Sequence, residues 1–164
     1  MSRIRIARIV SGGQTGADRA ALDAAIDAGL PYGGWCPLGG WAEDYPVAPG
    51  VIADYPHLRE AAERRPEVRT RLNVRDSHAT LVVRTDTGSL SAGTDLTVQF
   101  AADLRRPVLV SRGDDPDEVV SWLDGLPAEL TLNVAGPRES EAAGTYEACR
   151  TLLRDVLRTV PAVH

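Results

Sequence analysis

The segment Ile4 to Ala28 reads IRIARIVSGGQTGADRAALDAAIDA. Ile4 to Val10 is a short run rich in β-branched residues, SGGQTG at Ser11 to Gly16 breaks it sharply, and Ala17 to Ala28 is rich in alanine. That order predicts a strand, a tight turn and a helix. Ala20, Ala21, Ala24, Ala25 and Ala28 give the helix a small-residue face for close packing on a sheet, and Gly29 with Pro31 supplies its stop.

Working outward, the same alternation recurs. A very short strand is expected around Tyr32 to Trp35. Cys36 to Tyr55 is rich in glycine and proline, aromatic, and without a regular period, and reads as a long functional loop. His57 to Arg71 is strongly charged and helical in part, with Pro66 interrupting it; its charge reads as a solvated face. ATLVVR at Ala79 to Arg84 is a buried strand, followed by a loop through Gly93 and a helix from about Thr94 to Leu104. Pro107 to Val110 and Leu130 to Val134 are further strands. Asp115 and Pro116 read as the N-cap and first residue of a helix reaching Leu126. Thr145 to Arg158 is a C-terminal amphipathic helix with Leu152, Leu153, Val156 and Leu157 on or near its apolar stripe. Near-continuous apolar strands alternating with helices predict an α/β fold: a doubly wound, mainly parallel, Rossmann-like sheet in one domain over residues 1–164. Ligands of such sheets bind beyond the carboxyl ends of the strands, so the loops that follow strands are the informative ones.

The 164 residues, 43% hydrophobic and 25% charged, suit one ordinary globular core. A formal net charge of -5 disfavours general attraction to nucleic acid or to anionic membrane, so an anionic ligand must be met by a specific pocket. No run is apolar enough for a signal peptide or a membrane span, which makes the cytoplasm the expected location. Cys36 and Cys149 form no CxxC pair and stand near no histidine cluster, and His57, His78 and His164 are scattered. Neither a disulfide framework nor a directly coordinated metal is expected.

SGGQTGAD at Ser11 to Asp18 opens a helix, where unpaired N–H groups and the helix dipole favour an anion. Glycines 12, 13 and 16 let the backbone approach a ligand, and Gln14 and Thr15 can donate hydrogen bonds, although a tight turn alone would need the same glycines. The string is neither a Walker A loop nor a strict GxGxxG. SAGTDLT at Ser91 to Thr97 repeats the arrangement, with Gly93 freeing the backbone and Thr94 placed to cap the helix or bind an anion. NVAGPRES at Asn133 to Ser140 offers Arg138, whose planar fork suits phosphate or carboxylate unless Glu139 pairs with it. Arg69, Thr70 and Ser77, just before the Ala79 strand, add donors. No Ser-His-Asp arrangement stands out, and no spacing among Asp18, Glu43, Asp44 and Asp95 singles out an acid/base pair.

In order along the chain, SGGQTGADRAALDAA, GGWCP, AED at Ala42 to Asp44, RTRLNVRDSHATL, AGTDLT and LNVAGPRES closely resemble the "putative molybdenum carrier" family, over nearly the whole sequence from about Ile9. That family resembles a branch of the Rossmann-type superfamily that includes cytokinin-activating phosphoribohydrolases and the DNA-processing protein DprA. The resemblance implies a homo-oligomeric carrier that holds molybdenum cofactor, a phosphorylated pterin (molybdopterin), without transforming it. It implies nucleotide- or phosphate-binding positions at Gly12, Gly13, Gln14, Thr15, Gly16, Gly93 and Thr94, with Arg69, Ser77 and Arg138 as further candidates. Where the family pattern reads like CPKGR or CPKGRR, Cys36 to Trp41 reads CPLGGW, so one or two basic side chains are absent. His78 replaces a customary aspartate, and Leu72 a tryptophan.

Two other functions fit the superfamily. A nucleotide-processing enzyme of the phosphoribohydrolase type resembles PGGxGTxxE at its second loop, and the glutamate serves cleavage of the N-glycosidic bond. Here Thr97 occupies the glutamate position, and a hydroxyl cannot replace a carboxylate as base at neutral pH, though Asp95 could substitute from another angle. A DNA-binding module conflicts with the acidic balance and with the lack of a basic stripe. The expected partners are a phosphorylated small molecule and further copies of the chain, with no membrane.

Overall fold

The computed structural model describes residues 5–85 and 92–160. Strand β1 spans Arg5–Val10, helix α1 Ala17–Asp27, β2 Tyr32–Gly33, β3 Trp35–Cys36, β4 Arg59–Glu60 and α2 Pro66–Arg75. Then follow β5 Ala79–Val83, α3 Ala92–Asp103, β6 Val108–Ser111, α4 Pro116–Asp124, β7 Glu129–Ala135 and α5 Thr145–Thr159. Among the described residues no helix is long and apolar enough to cross a membrane.

Five strands form a parallel sheet in the order β2-β1-β7-β5-β6. Asn133 of β7 stands opposite Val10 of β1 on one side and Thr80 of β5 on the other. β7 therefore occupies the place where the strand order reverses, between the carboxyl ends of β1 and β5. α5 packs on both α1 and α4, and α2 packs on α3, so the helices fall into two layers, the arrangement that the usual right-handed crossovers of a parallel sheet produce. The expected doubly wound parallel sheet is the fold observed. β5 is buried at every position because helices cover both of its faces.

Local chemistry explains the elements. Ala17, Ala20, Ala21, Ala24 and Ala25 are buried along α1, and their small side chains let the helix lie close to the sheet. On α5, Leu152, Leu153 and Val156 are buried, each contributing about 1.5–3 kcal/mol relative to exposure. α4 starts as its sequence predicts: Pro116 is its first residue, and the Asp115 carboxylate accepts a hydrogen bond from the Glu118 N–H at 3.2 Å.

Three boundaries differ from expectation. Pro66 begins α2 instead of interrupting a helix, because the first helical position needs no N–H donor. α3 begins at Ala92, so Gly93 and Thr94 lie inside its first turn; Ser91 lies outside the described residues. The short strand near Tyr32 is two strands, β2 in the main sheet and β3 paired with β4 in a separate parallel pair.

The long loop after β3 is ordered by a second apolar cluster of Leu22, Cys36, Val51 and Leu58. Cys36 and Cys149 are free and buried. Burial pushes the Cys36 thiol up to about 11 and pushes Cys149 up as well, which disfavours the reactive thiolate in both.

Candidate functional site

The carboxyl ends of β1, β7 and β5 open onto a cleft of about 430 Å³. Its walls come from segments far apart in sequence: Gly12, Gln14 and Asp18 after β1, Trp41 of the long loop, Arg69 and Asn73 on α2, Gly93 to Thr97 on α3 except Asp95, and Asn133 with Arg138 at the end of β7 and beyond. Gly12 and Gln14 of the first glycine-bearing loop thus face the same crevice as the first turn of α3, with the end of β7 also lining it.

Around the start of α1 four backbone donors are engaged. The Gly13 N–H donates to Ser11 Oγ (3.4 Å), Gln14 N–H to Asp18 Oδ2 (3.3 Å), Thr15 N–H to Gln14 Oε1 (3.0 Å) and Ala17 N–H to the Pro137 carbonyl (3.3 Å). The Asp18 carboxylate, in the first turn of α1, occupies the electrostatic position that the sequence offers to an outside anion. Of the anticipated cradle, the N–H groups of Gly13, Gln14 and Thr15 are satisfied from within the protein.

Four of the anticipated ligand positions, Gly13, Thr15, Gly16 and Ser77, are not among the residues that line the cleft. A Cβ on Gly13 would meet Leu58 and Val51 of the second apolar cluster, and one on Gly16 would stand 2.3 Å from the Pro137 carbonyl oxygen. The Thr15 hydroxyl donates to the Glu43 carboxylate and accepts from the Glu139 N–H at 3.1 Å. Ser77 lies before β5, at the amino end of the sheet, where its hydroxyl donates to the Val74 carbonyl at 3.1 Å. Arg69 and Ser77 are close in sequence, but six of the eight steps between them run along α2, a rise of roughly 9 Å.

Arg69 is brought to the cleft floor. Its Nη1 donates to Asp18 Oδ2 at 3.1 Å, with the two side chains 14% and 5% exposed. Its Nε is buried with no hydrogen-bond partner among the described residues. Burial pushes the Asp18 carboxyl up, while the Arg69 guanidinium and the Gln14 N–H pull it down; the net direction is upward.

Gln14 is 6% exposed. Its Oε1 accepts from the N–H groups of both Thr15 and Glu43, at 3.0 and 2.9 Å, which fixes the amide with its oxygen toward those donors. Its Nε2 has no partner among the described residues, and the residue lines the cleft. Gly93 and Thr94, in the first turn of α3, line the same space.

Arg138 does not pair with Glu139. Its Nε donates to Glu141 at 3.2 Å and Nη1 lies 3.9 Å from Glu43. Glu139 instead accepts from the Gly144 and Tyr146 N–H groups, at 2.7 and 2.8 Å, and so caps α5. Burial pushes the Glu43 carboxyl up, but hydroxyl donation from Ser140 and Thr15, with Arg138 nearby, holds it below its ordinary range.

The Thr97 hydroxyl donates to the Gly93 carbonyl at 2.9 Å, a bond within its own helix. Asp95 is exposed and outside the cleft lining. Sequence reasoning missed Asn73, Asn133 and Trp41 as cleft residues, and saw in Asp18 only a carboxylate without a role. The one signal for Trp41 was that an aromatic residue stands where the family pattern carries a cation. Among the described residues no cluster of three or more His, Cys, Asp or Glu side chains is placed to hold a metal ion. The cleft sets donors at Gln14 and Arg69 beside the acceptor Asp18, an arrangement that holds a polar ligand through oriented hydrogen bonds.

A parallel sheet wrapped on both faces, with a polar cleft at its carboxyl edge, defines a Rossmann-like α/β protein built to bind a ligand. The chain belongs to the circularly permutated YpsA SLOG family, whose sequence model matches residues 9–157. It is similar to the crystal structure of a "putative molybdenum carrier protein" from Syntrophus aciditrophicus SB, at 37% identity and a TM-score of 0.81, over 94% of this chain and 96% of that one. The likeness read from the sequence motifs is therefore confirmed at the level of the family and the fold. No curated protein matches the chain.

Proposed function

We propose that this protein is a cytoplasmic carrier that holds a phosphorylated heterocycle of the molybdenum cofactor type in the cleft, binding and releasing it without changing its bonds. The observation that carries this reading is the buried Arg69 Nε, a donor without a partner among the described residues, beside a Gln14 amide whose oxygen is tied to the Thr15 and Glu43 N–H groups; both residues line one cleft. A buried donor without an acceptor costs about 1–3 kcal/mol, and an oxyanion or carbonyl supplied by a ligand recovers it. The first turn of α3, with Gly93 and Thr94, adds a helix N-terminus to the same cleft. The phosphate therefore belongs toward Arg69 and α3 and away from the α1 backbone. Arg138, 43% exposed at the cleft mouth, supplies further charge.

Carriage without chemistry is supported by Thr97, whose hydroxyl is spent on its own helix, and by the position of Asp95 outside the cleft. The test is mass spectrometry of ligand retained by gently purified protein, together with calorimetry using pyrophosphate. Arg69→Gln paired with Asp18→Asn, which removes both charges and leaves neither buried alone, is expected to weaken pyrophosphate binding at least tenfold. Unchanged affinity in that double variant would refute the reading.

A further inference from the structure

We propose that Trp41 is the platform on which the planar ring of the ligand stacks, with the Gln14 amide as the donor beside it. The inference rests on the reading of the cleft as a heterocycle site, and adds the subsite that recognises the ring.

Trp41 is partly buried and lines the cleft. Among the described residues its indole has no stacked ring, no cation over its face, and no acceptor for its N–H. The other two tryptophans are spent. Trp35 donates its Nε1–H to Asp76 at 2.8 Å and carries the Arg59 guanidinium over its ring at 5.6 Å. Trp122 packs against the main core. A large aromatic face left open beside polar donors is the arrangement by which proteins hold flat heterocycles, since every such ring offers a π-face and a polar edge.

The position is also fixed in advance. Ala42, the next residue, exchanges two hydrogen bonds with Tyr45, at 2.9 and 3.3 Å. One residue further, the Glu43 N–H donates to Gln14 Oε1, so the segment carrying the indole is tied to the residue that supplies the free amide donor. On the other flank, a Cβ on Gly40 would stand 2.1 Å from the Pro49 carbonyl oxygen, a closeness that seats this turn firmly against the next. A platform clamped on both sides loses little further entropy when a ring arrives. Leu38 to Trp41 contains no cation, so this wall of the cleft contributes a face instead of a charge, consistent with the charged end of the ligand lying toward Arg69.

The test is calorimetry on the full chain with three probes: pyrophosphate, guanosine monophosphate and 6-hydroxymethylpterin. Trp41→Leu keeps an apolar side chain and removes the stacking face. It is expected to weaken at least one ring-bearing probe about tenfold or more, the scale of one lost base–aromatic stack, while pyrophosphate changes less than about twofold. Trp41→Phe should recover most of that loss. Guanosine monophosphate should quench tryptophan emission in the parent more than in Trp41→Phe. The proposal is overturned if neither ring-bearing probe binds the parent, or if Trp41→Leu binds both as tightly as the parent. It is also overturned if Trp41→Leu loses pyrophosphate and ring probes in equal measure, which would make Trp41 a support for the loop. Failure of the phosphate reading shows differently: 6-hydroxymethylpterin would bind and depend on Trp41 while pyrophosphate did not bind at all.

Discussion

A Cβ built on Gly12 would stand 1.8 Å from Nη1 of Arg69 and 2.9 Å from Oδ2 of Asp18. Glycine at position 12 is what admits the guanidinium to the cleft floor. Gly12→Ala is expected to push Arg69 out and leave the Asp18 carboxylate buried without its partner. The cost should be roughly 2–4 kcal/mol, at the lower side of what breaking a fully buried pair costs, because Arg69 keeps some contact with water. Urea unfolding measures the loss, and pyrophosphate affinity should fall in the same variant.

Arg69→Gln should make stability depend more strongly on pH. The Asp18 carboxyl is already raised by burial, and removing the guanidinium raises it further. An acid whose folded pKa lies above its unfolded value, near 4, binds more protons when folded, so stability falls as pH climbs from that value toward the folded one. The deficit of the variant against the parent should therefore be largest near neutrality and shrink as the pH is lowered toward 4. Urea midpoints at several pH values check this; a deficit that grows on acidification would contradict the assignment.

Gly16 joins the start of α1 to the loop after β7. Its φ is +76°, and a Cβ there would lie 2.3 Å from a backbone oxygen, which cannot swing aside as a side chain can. Gly16→Ala should cost at least about 2 kcal/mol, from left-handed strain plus the forced displacement of Pro137. Hydrogen exchange should quicken at Ala17 and across Glu139 to Gly144, while α4 stays protected.

Asp23 ties two distant segments to α1, accepting hydrogen bonds from the hydroxyls of Tyr55, at 2.6 Å, and Tyr146. Burial, followed by the hydrogen bond and charge of Asp23, pushes the Tyr146 phenol up to about 12 and pushes Tyr55 up as well. A raised phenol stabilises the fold fully below its unfolded value near 10 and loses that contribution as pH passes the folded value. Asp23→Ala should bring both ionisations down toward 10, read by ultraviolet absorbance, and narrow the alkaline range over which the protein stays folded.

Sequence by itself determined the order and type of nearly every element, because apolar periodicity, the Asp115–Pro116 cap and the breaks at glycine act within a few residues. It also determined the family, through strings such as SGGQTGADRAALDAA and LNVAGPRES. Ser77 shows where that reasoning stops: neighbouring in sequence to Arg69, it ends at the opposite edge of the sheet because a helix carries the chain away. The tertiary structure alone decided which side chains meet in the cleft and that Arg69 Nε lacks a partner there among the described residues. The Gln14 and Ala17 N–H groups looked open until Asp18 and Pro137 accepted from them, and Arg69 reaches Asp18 across 51 positions. Trp41 comes to the same cleft through a loop with no regular period. A strand or helix follows from local pattern, but a hydrogen-bond partner depends on which distant segment folding brings within about 3 Å.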